Sequence, residues 1–415
     1  MDKNIPFLAQ TQILAVKLWT SWLNFWLFFF RNLFFYEKIS NPKNILIYKI
    51  GNIGDIVCAI PSFIAVHRFY PRAKITILTS PGLRSAPGAR ELLAGAWYLD
   101  ELKIYYADEI NSLNKKKKFI KDLRGNNYDL FIQIPDDLAN FRTLFRNMIF
   151  AKFIGAKSAF GFKIRTVQLF KKTQIDYTTQ KTEVESLLDL LKENGLKNEK
   201  VEYDFNITDK QKKKISDLLE NKFPRRLPAG HSRGWKDKAE KAQRKELIIV
   251  LNSGGKREAN RWSAENFGRV GKYLQDEYNA KIIIIGGKED IARANIIKSF
   301  LNQENLLILV NQLELLEIVE LLKIADFLIS NDTGAGHMAA AVGLPVIGLY
   351  GIRNVFGRWF PYGLQHKILC RKFLNCDYKD ENCIKKSVEM TSVKEVKKAC
   401  NEIINRENSF YRRLK

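Results

Sequence analysis

At 415 residues, with 46% hydrophobic and 12% aromatic side chains, the chain is too long for one ordinary core and too apolar for a disordered protein, so two globular domains are expected. Sixty-eight Lys and Arg against 45 Asp and Glu leave a net charge of +23, a field that draws nucleic acid, anionic lipid or phosphorylated substrates, although an AT-biased, lysine-rich composition accounts for part of it. Five cysteines in a chain with no cleavable leader fit a reducing compartment rather than a disulfide-built fold.

Residues 13–36, ILAVKLWTSWLNFWLFFFRNLFFY, hold ten aromatics from Trp19 to Tyr36, yet the uncharged run from Leu18 to Phe30 is only 13 residues. A spanning helix needs about 20. At helical spacing Trp19, Trp22, Trp26, Phe29 and Leu33 share one face, and Lys17, Ser21, Asn24 and Arg31 line the other. That pattern suits a helix lying in a membrane interface; a helix docked on a domain or partner is the plainer alternative, and a true span is the third.

From residue 45 short apolar runs alternate with amphipathic stretches. ILIYKI (45–50), a helix-like 56–70, KITILT (74–79), YLDELKIYY (98–106) and YDLFIQI (128–134) imply a parallel sheet with crossover helices, closing near 206. Residues 221–246 carry nine basic and three acidic side chains with little apolar periodicity, which reads as an exposed linker. The stretch lacks the interleaved aromatics that stack nucleic-acid bases, so no nucleic-acid partner is expected. LIIVLNS (247–253), KIIIIGG (281–287), NLLILV (305–310), DFLIS (326–330) and PVIGLYG (345–351), with helices between, repeat the α/β rhythm. The expected organisation is a membrane-associating segment 1–43, an α/β domain 44–206, a linker and basic loop 207–246, a second α/β domain 247–395 and a C-terminal helix and tail 396–415. Two doubly wound units place ligands at the carboxyl ends of their strands, facing a central cleft.

Three motifs fall at such ends. In Lys49-IGNIG-Asp55, Gly51 and Gly54 permit a tight strand-to-helix turn, and Asp55 either faces the cleft or simply caps the helix. The third glycine of a dinucleotide fingerprint is missing, as is an acidic residue closing the next strand, which argues against a nicotinamide cofactor. In N252-SGGKREANRWSAEN-F267, Lys256, Arg257 and Arg261 can hold phosphate oxygens or be ordinary surface cations, and Glu289 after the next strand can hold ribose hydroxyls or start a helix. In N331-DTGAGH-M338 a strand runs into a glycine-rich helix start whose amides suit a pyrophosphate, with Asp332 as cap and a locally packed His337 as the alternative. The Asp-Thr-Gly within it matches an aspartic-protease signature, but it occurs once, in an α/β unit, and that chemistry needs two carboxylates sharing a proton. His366, Cys370, Cys376 and Cys383 lack the close cysteine pair of a structural zinc site and read as loop or buried thiols.

Taken in order, I45-LIYKIGNIGDIVCAIPSFIAVHRFYPRAKITIL-T79, S253-GGKREANRWSAEN-F267 and I329-SNDTGAGHMAAAVGLPVIGLY-G351 resemble the heptosyltransferase family of bacterial glycosyltransferases, glycosyltransferase family 9. The resemblance implies a GT-B architecture of two Rossmann-like domains. It also implies an inverting transfer of heptose from ADP-heptose to the lipopolysaccharide inner core, with no essential metal or other cofactor. The partners implied are the nucleotide sugar, a lipid-linked core oligosaccharide and, through the N-terminal segment, the cytoplasmic face of the inner membrane. By matching position Asp55 is the general base. Lys49, Gly51 and Gly54 belong to the acceptor side; Asp332, Thr333, Gly334, His337, Lys256, Arg261 and Glu289 belong to the donor side. Asn260 stands where members of the family often carry a lysine, so either Lys256 or Arg261 supplies the cation or that contact is lost. A different donor or acceptor on the same fold, or an inactive glycolipid-binding scaffold, are the competing readings.

Overall fold

The computed structural model describes residues 7–37, 39–81, 87–106, 108–137, 139–165, 180–197, 200–224, 246–352, 356–371 and 380–413. Most of the basic stretch, 225–245, and Cys376 lie outside the described residues. The chain divides into two compact units: one reaches to Asn206 and takes in Val355–Trp359, and the other holds Ile207–Asn354 and Phe360–Lys415.

The first unit runs α1 (Phe7–Phe34), β1 (Asn44–Tyr48), α2 (Ile53–Phe69), β2 (Lys74–Thr79), α3 (Ala89–Leu92), β3 (Glu101–Ile104), α4 (Leu113–Arg124), β4 (Leu130–Gln133), α5 (Phe141–Phe153), β5 (Ser158–Phe160) and α6 (Glu183–Glu193). Its five strands are parallel in the order β3-β2-β1-β4-β5. Ile45, Leu46 and Ile47 are fully buried, which is why β1 reads as a continuous apolar run and not as an alternation.

The second unit runs α7 (Asp209–Lys222), β6 (Ile248–Asn252), α8 (Ala264–Tyr278), β7 (Lys281–Ile284), α9 (Ile291–Lys298), β8 (Leu306–Ile308), α10 (Leu315–Ile324), β9 (Phe327–Asn331), α11 (Gly334–Ala341), β10 (Val346–Tyr350), β11 (Lys367–Cys370), α12 (Glu381–Glu389) and α13 (Val393–Arg413). Six parallel strands lie in the order β11-β10-β9-β6-β7-β8. Trp262 anchors the core on one face, with its ring against Phe267 and its indole N–H donating to the Thr391 carbonyl at 2.8 Å.

Both sheets reverse direction once. The chain leaves β1 toward β2 and β3 and later returns to its other side with β4; it leaves β6 toward β7 and β8 and returns with β9. The loops that follow β1 and β4 therefore splay apart at one crevice, and those after β6 and β9 at another, which is where doubly wound sheets bind ligands.

Helix α1 is longer than its uncharged run suggested. Ile13–Phe34 forms a continuous 22-residue apolar stretch with a mean hydropathy of 1.4, because Lys17 and Arg31 fall inside the helix without ending it. It is also docked. Leu27 is fully buried, Phe30 and Phe34 pack on the Phe145 ring of α5, and the Asn24 amide accepts from Ile164 N–H at 2.8 Å and donates to the Ile164 carbonyl at 3.2 Å. Asn24, expected on the outward polar stripe, faces the protein, whereas Trp19, Trp22, Phe25, Phe28, Phe29 and Leu33 are left exposed.

Candidate functional site

At the first crevice the chain turns from β1 into α2 through Lys49-Ile-Gly-Asn-Ile-Gly-Asp55. Gly51 is required there, since a Cβ would collide with the Asp55 side chain folded over it. Asp55, in the first turn of α2 with Gly54 beside it, accepts the Asn52 N–H on Oδ2 at 2.8 Å. The capping contact is thus made, and it fixes the carboxylate with Oδ1 uncommitted to that bond. Lys49, expected to face an acceptor phosphate, is instead fully buried, its ammonium 3.5 Å from Asp136 Oδ1.

Asp136 comes from the loop after β4, the strand beside β1, and sequence reasoning missed it. Desolvation raises its carboxyl above the ordinary carboxylate value; Lys49 opposes the shift and the charge of Asp55 adds to it. Behind it lies a buried ionic cluster. Arg165 makes a bidentate pair with Glu183 at 2.6 and 2.8 Å and donates to the Pro135 carbonyl at 2.6 Å, all at 3% and 1% side-chain exposure. Burial alone would depress Arg165, yet Glu183, then Asp137 and Asp136, more than restore its charge. Arg358, from the stretch after β10 that belongs to this unit, reaches Asp137 at 3.4 Å and Glu183 at 3.9 Å. The Trp359 indole donates to Asp137 Oδ2 at 3.3 Å, and the Glu183 N–H to the Arg358 carbonyl at 2.7 Å. Cys58, one turn past Asp55, is buried and its thiol is pushed well up by desolvation, then by Glu183 and Asp55, so it stays protonated.

The second crevice has a different chemistry. Asn331, at the end of β9, donates to the carbonyls of Ser253 (2.7 Å) and Gly254 (3.0 Å) after β6 and accepts the Trp262 N–H at 3.0 Å. One buried amide thereby stitches the two glycine-rich loops together. Asn252 donates to Thr333 Oγ1 at 3.0 Å, and Ser330 shares a 3.0 Å hydroxyl contact with the same atom. Thr333 precedes Gly334, where α11 begins; its side chain does not cap the helix, and the Gly336 N–H donates to its carbonyl at 3.2 Å. Asp332 is half-buried beside it. His337 is buried within α11; desolvation, then His366, hold its imidazole down at about 4, so it is neutral near pH 7.

The cations around these loops divide by role. Arg261 donates from Nε to the Gly255 carbonyl at 2.7 Å and pairs with Glu258 at 2.7 Å. Arg293 of α9, not singled out from the sequence, donates to the Ser253 carbonyl at 2.9 Å and also to that of Trp262. Both brace the loop from its edges. Arg257 lies 3.6 Å from Glu381, and Lys256 is exposed. Asn260 is buried, and its side-chain oxygen has no hydrogen-bond partner among the described residues. Glu289 is exposed, whereas the neighbouring Asp290 is buried over Gly254 and Gly286, accepts the Gly287 N–H at 2.9 Å, and keeps Oδ1 unbonded; desolvation raises its carboxyl. Among the described residues no group of three His, Cys, Asp or Glu side chains is placed to hold a metal ion.

The profile of glycosyltransferase family 9 (heptosyltransferase) matches residues 116–389. Among solved structures, a family 9 glycosyl transferase from Veillonella parvula superposes with a TM-score of 0.66 at 17% identity, covering 88% of this chain and 98% of that one. E. coli ADP-heptose lps heptosyltransferase II gives 0.59 at 18%, covering 88% and 99%. E. coli heptosyltransferase WaaC, solved with ADP-2-deoxy-2-fluoro heptose, gives 0.55 at 16%, covering 86% and 99%. No curated protein sequence matches. The architecture is that of these structures, an α/β GT-B fold.

Proposed function

The chain belongs to glycosyltransferase family 9, and on that premise we propose that it transfers a heptose from ADP-heptose to a lipopolysaccharide inner-core sugar, inverting the anomeric centre without an essential metal. The observation that carries this reading is the contrast between the two crevices: one holds fixed carboxylates, the other helix-start amides on glycine-lined loops. The donor assignment draws on the E. coli enzyme solved with an ADP-heptose analogue.

In this reading the acceptor hydroxyl gives its proton to Oδ1 of Asp55 as its oxygen bonds to the anomeric carbon. The bond from that carbon to the β-phosphate oxygen breaks on the opposite face, and ADP leaves with the electron pair. Asp55 suits the step because the Asn52 amide fixes its other oxygen. Lys49 and Asp136 hold the neighbouring charge in place rather than meeting the acceptor phosphate. On the donor side Asp332 binds sugar hydroxyls, while Thr333, Gly334 and neutral His337 line the diphosphate. Lys256 supplies a mobile cation, with Arg261 and Arg293 shaping the loop and Glu289 or Asp290 meeting the ribose. Oriented amides and cations of this kind offset the charge of a leaving diphosphate. The enzyme works on the cytoplasmic face of the inner membrane, held there through the exposed face of α1.

Incubating purified protein with core acceptor and a panel of nucleotide sugars tests the reading. Nucleotide release from ADP-heptose alone is expected; comparable turnover of UDP- or GDP-sugars would sink the donor assignment.

A further inference from the structure

A cavity opens beside the docked side of α1. Between α1, the chain just past β5 and the end of α6 lies a half-open pocket of about 440 Å³. Leu27, Phe28 and Phe162 line it with apolar surface, and Asn24, Arg31 and Lys163 with polar atoms. Phe28 belongs both to this lining and to the exposed aromatics of α1, which include Trp22, Phe25 and Phe29.

The charges of this pocket are unequal. Glu193 is already held by Lys163 at 2.7 Å. Among the described residues Arg31 has no such partner: its guanidinium donates to the neutral Asn32 amide, at 2.6 and 3.2 Å, and lies 5.2 Å over the Phe28 ring. Among the described residues no carboxylate pairs with it, and burial lowers its affinity for its proton, which marks a cation partly stripped of water and not compensated. A cation in that state gains from an anion more than a solvated surface charge does. The surroundings repeat the sign. Helix α1 contains Lys17 and Arg31 and no acidic residue, and α5 against it carries Arg142, Arg146 and Lys152 and none either.

We propose that this pocket is a binding site for the phosphate headgroup of an anionic phospholipid, with Arg31 on the phosphate and the acyl chains laid along the aromatic stripe of α1. The proposal deepens the membrane reading above, and commits to a lipid because Phe28 lines the cationic pocket and is also exposed among the aromatics of α1. A helix fixed to its own domain by Asn24 and Leu27 has lipid available on one side only, so it lies in the interface and does not cross it.

The test is flotation of full-length protein on phosphatidylcholine vesicles with and without phosphatidylglycerol, at about 0.15 M salt, where exposed charges are largely screened. Wild type is expected to bind the anionic vesicles about five- to tenfold more tightly, Arg31→Gln to lose most of that preference with its melting temperature unchanged, and Arg31→Lys to regain part of it. Transfer to a soluble acceptor should be the same in all three. An anionic preference that survives Arg31→Gln overturns the pocket assignment and leaves the membrane reading standing. Release of bound protein by millimolar inorganic phosphate or glycerol 3-phosphate overturns the lipid as occupant. Absence of vesicle binding, with a concentration-dependent dimer seen by sedimentation, overturns both and makes the stripe a contact between copies.

Discussion

The two crevices share a topology and differ in what fills them. After β1 and β4 the loops carry Lys49, Asp55, Asp136 and Asp137, backed by Arg165, Glu183 and Arg358. After β6 and β9 they carry glycines, Asn252, Asn331 and Thr333, with a histidine that burial keeps neutral. A reverse in strand order only opens a gap between loops; side-chain chemistry decides whether the gap handles a proton or receives an anion. The first is held by buried charge, the second by amide-to-carbonyl bonds beside a helix start.

That contrast can be broken from either side. On the first side Glu183→Gln removes the charge that compensates both Arg165 and Arg358, and we expect a loss of ~3–5 kcal/mol in chemical denaturation, as for a buried pair deprived of one partner. On the second, Asn331→Ala removes three buried hydrogen bonds between the loops without touching a charge. It should cost ~3 kcal/mol and raise the KM for donor more than it lowers kcat on saturating donor.

The neutral histidine has its own signature. His337 titrates at about 4 when folded, against ~6.5 unfolded, so between those values the unfolded chain binds more protons. The stability this contributes is fully present above pH ~6.5 and is lost as pH falls toward 4; a His337→Gln variant should show a stability profile flatter by ~3 kcal/mol across that window. The smallest effect belongs to Lys256→Ala. An exposed cation contributes under ~1 kcal/mol, so donor KM should rise only a few-fold with folding unchanged.

What the sequence made legible follows the range of the interactions. The buried strands announced themselves as apolar runs, and Asp55 and Asp332 as residues at glycine-marked strand ends, because those signals are local. The ionic cluster behind Asp136 was not legible. Arg165 meets Glu183 across 18 positions and Trp359 meets Asp137 across 222, and no spacing rule joins them. The ion pair of Lys49 was not legible for the same reason, since its partner lies 87 positions away on the neighbouring strand's loop. At α1 the composition was informative, but which face docks was settled by Phe145 and the Ile164 backbone, far along the chain.

The central claim, that proton transfer sits at the first crevice and donor binding at the second, is tested most directly by Asp55→Asn with two readouts on the same protein. Calorimetric titration with ADP-heptose should give a Kd within about twofold of wild type, while transfer to acceptor falls by roughly 10²–10⁴-fold, the range expected for loss of a general base. Turnover that survives the substitution, or donor binding lost together with it, would contradict the account.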